Sequence, residues 1–280
     1  MSDNIISFCC ESLSIIKQLL YICNNSIEGI SRAQFSLSEM QHYQKLCLGV
    51  FHTNRVCNMC EYILSSKDCD DNLQMQTYDI NNLLELMTGS FKSTVSEYIP
   101  IKLNYYTKLR HSYSVMINQR KFENLVLNIL HCCIDNNSLN PSVPVKITIY
   151  ATETKDSIVF HIRDNNSPIN SKIIDTAFSD NLPNNIFTDK FNFASVATLT
   201  LATAKKSALE LSGRLSYSPL KSGNRFDIYL PKYRKISSDL MHSSVPYLPS
   251  MDLFFEIFAD IRTGQSMSLI YNSEIEEAKP

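Results

Sequence analysis

Residues 196–231, "VATLTLATAKKSALELSGRLSYSPLKSGNRFDIYLP", change character part-way along. The stretch from Ala194 to Ser212 reads as one long helix, while Arg214–Pro219 and Arg225–Pro231 read as two strands, the second ending in Leu-Pro. Gly213 stands where helix turns into strand, and Gly223 lies between the strands. Both are expected to serve the backbone, as a helix cap and a hairpin turn.

Working outward, "VKITIYAT" (145–152) and "SIVFHIRD" (157–164) alternate as strands, and "SVMIN" (114–118) is a shorter one. Helices are predicted at "DINNLLELMTGSFKSTVSE" (79–97) and "QRKFENLVLNILHCCIDNN" (119–137). Helices against one face of a mixed sheet make an α/β sandwich. Before this, "SSKDCDDNLQMQ" (65–76) is acidic and polar without apolar period, which suits a linker near residues 65–77. Earlier still, Ile6, Cys9, Leu13, Ile16, Leu20 and Cys23 alternate spacings of three and four, and Leu46, Val50, Thr53, Cys57, Cys60 and Leu64 keep the same rhythm. Two long helices in a hairpin leave an apolar stripe half covered, so a homodimeric four-helix bundle is expected. The fold class is therefore α+β, with a helical hairpin at 1–68, an α/β sandwich at 78–235 and a C-terminal extension at 236–280 that includes a short amphipathic helix, "MDLFFEIFADIR".

Composition narrows the function. A hydrophobic fraction of 44% over 280 residues supplies real cores. A net charge of -2, with both signs dispersed along the chain, gives no electrostatic signature of nucleic acid or of an anionic membrane. No apolar run is long enough to span a bilayer, and the start "MSDNIISFCC" lacks the basic opening of a signal peptide, so a cytoplasmic location is expected. Nine cysteines in such a chain are read as reduced thiols. The "CNMC" pair, Cys57 and Cys60, has the spacing of half a metal or redox site, but both fall on the helix seam and core packing is the favoured reading.

The order of elements, with "FENLVLNIL" and residues 196–231, resembles a sensor histidine kinase core: a dimerisation and phosphotransfer hairpin followed by a GHKL-type ATPase domain, over about residues 5–232. The resemblance implies an ATP and magnesium pocket built from three boxes. The first, with two asparagines in the family, reads "NILHCC": Asn128 stays, Cys132 replaces the second asparagine, and Asp135 stands where a lysine often meets phosphate. Magnesium prefers hard oxygen ligands, so a thiol substitutes poorly, and a carboxylate repels triphosphate. The second box reads "DNNSP", with Asp164 at the adenine contact and Asn166 and Pro168 at the glycine positions. The lid box reads "VATLTL", where Val196, Thr198 and Thr200 replace three glycines. The motif of the hairpin maps onto "CESLSI", which puts Cys10 at the phosphoacceptor histidine and Glu11 at the acid beside it. A thiol is mostly protonated near neutral pH, and phosphorelay through this helix is not expected.

The family's fold positions are thus retained and its nucleotide positions changed, which implies a catalytically degenerate adaptor or regulator. Its expected partners are a response-regulator receiver domain or a histidine kinase, met around Cys10, Glu11 and Ser14, with no catalytic residue, metal or cofactor. Asn128 and Asp164 are vestigial in this reading. Two alternatives stand beside it: an atypical ATP-dependent histidine kinase or phosphotransferase, which requires nucleotide binding or a phosphorylated histidine, and a thiol-based redox sensor using the cysteines between positions 9 and 69.

Overall fold

The computed structural model describes residues 16, 18–19, 21–23, 46, 50, 53–60, 62–63, 75–96, 100–109, 114–137, 144–179, 193–232 and 246–258. The chain divides into two compact units, residues 1–66 with 256–280, and residues 67–255. In the first unit the described residues between 16 and 63 are all helical. The expected seam is closed at Val50, Cys57 and Cys60, which are buried, but Ile16 is 39% and Leu46 52% exposed in the single chain. Cys10, Glu11 and Ser14 lie outside the described residues. Among the described residues no helix is long and apolar enough to cross a membrane.

The second unit runs β1 (Met75–Asp79), α1 (Ile80–Val95), β2 (Ile101–Thr107), β3 (Ser114–Asn118), α2 (Gln119–Asn137), β4 (Val145–Glu153), β5 (Ser157–Arg163), α3 (Ser171–Ala177), α4 (Phe193–Glu210), β6 (Arg214–Leu220) and β7 (Gly223–Pro231), with α5 (Met251–Ile257) later in the chain. Five strands form one sheet in the order β2-β4-β5-β7-β6, in which β2 is parallel to β4 and the other pairs are antiparallel. A separate ribbon pairs β1 with β3. The mixed-sheet α/β sandwich is as expected.

Alternation explains the layers. Val145, Ile147, Ile149 and Ala151 of β4, Ile158, Phe160 and Ile162 of β5, and Phe226, Ile228 and Leu230 of β7 are buried on one face of the sheet, together with Phe122, Leu125, Ile129 and Leu130 of α2 and Leu199, Ala204 and Ala208 of α4. Phe122 and Phe160 meet edge to face at 5.3 Å between ring centroids. Each buried valine, leucine, isoleucine or phenylalanine side chain in this set contributes about 1.5–3 kcal/mol. Side-chain caps fix two helix starts: the Asp79 carboxylate accepts from Asn82 N–H at 2.9 Å for α1, and Asn118 Oδ1 accepts from Lys121 N–H at 3.1 Å for α2.

Three elements depart from the sequence reading. Residues 75–77, read as the end of the linker, are strand, because β1 is completed by pairing with β3 and not by its own apolar content. The strand β2 was not anticipated, nor was α3. Gly213 is not the left-handed helix cap. That conformation is taken by Ser212, with φ 55°, and the end of α4 closes through Ser212 N–H to Leu209 C=O at 2.9 Å and Gly213 N–H to Ala208 C=O at 2.9 Å, a Schellman arrangement. Gly213 is needed for space instead, since a Cβ there would collide with the Tyr229 carbonyl oxygen.

Part of the C-terminal stretch packs on this unit. Tyr247, Leu253 and Phe254 are buried, Tyr247 Oη donates to Glu123 Oε1 at 2.7 Å, and its ring lies edge-on to Tyr78 at 5.9 Å. Ser250 N–H and Gln119 Nε2 donate to the same oxygen at 3.1 and 3.0 Å.

Candidate functional site

The box residues converge where the end of β5 meets the β6–β7 connection and the last turns of α2. Asp164 is buried and its carboxylate is the hub. Its Oδ1 accepts from Asn166 N–H at 2.9 Å, Asn224 N–H at 3.0 Å and Asn224 Nδ2 at 2.9 Å, while Oδ2 accepts from Asn224 Nδ2 at 3.1 Å. Burial raises the Asp164 pKa above the usual carboxylate value, and the hydrogen bonds from Asn166 and Asn224 offset part of that rise.

Asn224 is fully buried and spends all its capacity here. Besides the bonds to Asp164, its Nδ2 donates to Ser167 C=O at 3.1 Å, and its Oδ1 accepts from Tyr217 Oη at 2.7 Å and Ile169 N–H at 3.0 Å. Neither Asn224 nor Tyr217 was singled out from sequence. The register of β7 on β5, Arg225 opposite Arg163, is what puts residue 224 beside residue 164. Gly223, with φ +128°, permits the approach, since a Cβ there would overlap the Asp164 carbonyl oxygen.

From α2, Asn166 Nδ2 donates to Cys133 C=O at 2.6 Å, and the Cys133 thiol bonds the Asp164 carboxylate. Burial, then the Asp164 charge and Cys132, push the Cys133 thiol well above its ordinary pKa, so it is held protonated. Cys132, expected from the resemblance at a magnesium-ligand position, is buried. Asn128 is buried one turn earlier, and its Nδ2 donates to Asn124 C=O at 2.8 Å and Asn124 Oδ1 at 2.7 Å. Asp135 falls in the last turn of α2 and Pro168 is exposed after β5. The structure therefore gathers Asp164, Asn166 and Cys133 into one network, with Asn128 directed at its own helix.

The lid box has a different fate. Val196, Thr198 and Thr200 all lie inside α4, which begins at Phe193, and Thr198 and Thr200 are buried. Thr200 Oγ1 donates to Val196 C=O at 2.8 Å. From residue 197 onward the amides belong to the i to i−4 ladder of the helix, in place of the exposed N–H groups that a glycine loop turns towards phosphate.

Two thiols of the first unit, Cys57 and Cys60, sit in a dry setting, whereas Cys23 is exposed. Cys57 and Cys60 are buried on successive helical turns, and burial with the neighbouring Cys57 pushes the Cys60 thiol up to about 11. Among the described residues no third metal-ligating side chain joins a cluster with them.

Residues 117–234 match the histidine kinase-, DNA gyrase B-, and HSP90-like ATPase family model. That stretch is an ATPase-like domain of this type. No curated protein matches the chain. Among solved structures, full-length ShkA in complex with AMPPNP superposes with a TM-score of 0.58 at 12% identity, covering 81% of this chain and 47% of that one. The histidine kinase ThkA in complex with the response regulator protein TrrA gives 0.52 at 15% identity, covering 82% and 64%. The Acinetobacter baumannii histidine kinase AdeS gives 0.46 at 16% identity, covering 78% and 95%. For ShkA and ThkA, at these identities, the likeness is one of fold.

Proposed function

We propose that the chain is a histidine-kinase-like regulator of two-component signalling whose ATPase-like domain is degenerate and works as a scaffold. The observation that carries this is the continuous helix through Val196, Thr198 and Thr200, which uses in its own ladder the amides that a phosphate cradle would need. The Asp164 carboxylate is likewise engaged by the Asn224 amide, a donor of the same kind as the exocyclic amine of adenine. The donor set does not fit magnesium and triphosphate: a carboxamide bonded within its own helix and a buried thiol stand at the metal positions. Partner capture falls to the helical unit, at Cys10, Glu11 and Ser14, with a receiver domain or a histidine kinase as the partner. The solved ThkA complex holds a response regulator, which supports a partner of that class.

Isothermal titration of the full chain with ATP and magnesium tests the reading. Dissociation constants weaker than about 1 mM are expected. Micromolar, magnesium-dependent binding would hand the function to the kinase alternative.

The same proposal includes a homodimer through the helical unit. Ile16, Leu19, Ile22 and Leu46 are 39%, 56%, 58% and 52% exposed in one chain, an apolar set that a second copy can cover. Light scattering of the purified chain is expected to give twice the monomer mass, and Leu13→Asp with Ile16→Asp to give monomers. A monomeric parent at micromolar concentration would end the bundle model.

A further inference from the structure

The outer face of the five-stranded sheet, opposite the buried core, collects charges that are scattered in sequence. Strand alternation places Lys102 and the neighbouring Lys108 at β2, Lys146 on β4, Arg163 on β5, Arg225 on β7 and Arg214 on β6 all on this face. Against these six cations the strands offer one carboxylate there, Asp227, already bonded to His161 Nδ1 at 2.6 Å and 3.1 Å from Arg225 Nε. Two like-charged pairs face each other directly in register, Lys102 with Lys146 and Arg163 with Arg225. Directly opposed like charges destabilise a sheet unless an anion is present to bridge them.

Aromatic rings hold several of these cations in place. Arg163 lies over Tyr150 at 5.4 Å, Lys108 over Tyr106 and Tyr150 at 5.3 and 5.6 Å, and Arg214 over Tyr229 at 4.2 Å. Tyr150 is itself stacked between Tyr106 and His161, at 5.0 and 4.4 Å. The ring faces are thus occupied, which disfavours single-stranded nucleic acid, whose bases need open ones. A protein partner needs an exposed apolar centre within its docking patch, and here Val159 and Tyr150 are buried, at 2% and 7% exposure. A broad array of cations, bordered at the sheet edge by the exposed Tyr106, suits a leaflet of anionic lipid, where tyrosine settles at headgroup level.

We propose that this sheet face is a peripheral docking surface for an anionic bilayer. Each cation near such a surface contributes about fivefold in affinity, so six suffice for reversible attachment without a spanning helix. Co-sedimentation of the full chain with vesicles of phosphatidylcholine containing 30% phosphatidylserine (roughly the anionic content the surface-charge argument assumes) is the test. Binding is expected at low salt, absent on pure phosphatidylcholine and weakened as salt rises. Lys102→Glu with Lys146→Glu, both at exposed positions, should reduce it at least ~25-fold with unchanged circular dichroism. Arg163→Glu with Arg225→Glu is the second variant and should act in the same direction. No binding to anionic vesicles at low salt, or binding indifferent to the Lys102 and Lys146 changes, overturns the proposal. Tighter, equally variant-sensitive binding to an oligothymidylate or to polyglutamate also overturns it, and assigns the face to nucleic acid or to an acidic protein.

Discussion

Replacing Asn224 with leucine is expected to destabilise the ATPase-like domain by about 3–5 kcal/mol, read as a drop in the urea midpoint at pH 7. One buried amide links four parts of the site: it donates to both oxygens of Asp164 and to Ser167 C=O, and accepts from Tyr217 and Ile169. Leucine would leave a buried carboxylate with two backbone N–H bonds and the Cys133 thiol, and the Tyr217 hydroxyl without its acceptor. Orphaned buried groups cost about 1–3 kcal/mol each, more when charged. Asn224→Asp separates charge from packing, because it sets a second carboxylate against Asp164. Proximity raises the folded-state pKa of such a pair, so its contribution is favourable at low pH and lost as pH rises. The Asn224→Asp deficit should therefore be smaller at pH 4.5 than at pH 7, and that of Asn224→Leu should recover less, since it removes hydrogen bonds that hold the Asp164 pKa down but adds no second carboxylate. A loss under 1 kcal/mol for the leucine variant would mean that the network does not carry the site.

Glycine exchanges should split by sign. Gly223→Ala is expected to cost at least about 3 kcal/mol, since φ +128° is unfavourable for any L side chain and the new Cβ would overlap the Asp164 carbonyl oxygen. Gly89, inside α1, has nothing within 4 Å of a built Cβ, so Gly89→Ala should add up to about 1 kcal/mol through helix propensity. Thermal melts of the two variants should move in opposite directions. If Gly223→Ala melts with the parent, the close approach of the hairpin to Asp164 is wrong.

A domain held by such a network can keep its shape without ligand. The acceptor at Asp164 is satisfied internally, the helix at the lid box is closed on itself, and the last turns of α2 are tied to β5 through Asn166 and Cys133 C=O. In the regulator proposed above, these protein contacts would take the place of ligand contacts.

The patterns local to the chain were sufficient for the main layers. The runs at 119–137, 145–152, 157–164 and 194–231 carry periods of their own, and helix or strand follows from which side chains can share a face. That positions 196, 198 and 200 carry valine and threonines in place of glycine was equally legible, because it is residue identity alone, and their reading as degenerate box positions belongs to the proposal. Folding decided whatever depends on register. β1 is too polar to declare itself and becomes strand by pairing with β3. Asn224 reaches Asp164 across sixty residues only because β7 lies beside β5. Ser212, not Gly213, takes the left-handed turn, since the crowding that requires glycine at 213 comes from Tyr229 on another strand. A net charge of -2 also hid the six cations of the outer sheet face, because a sum along the chain is blind to which residues alternate onto one side.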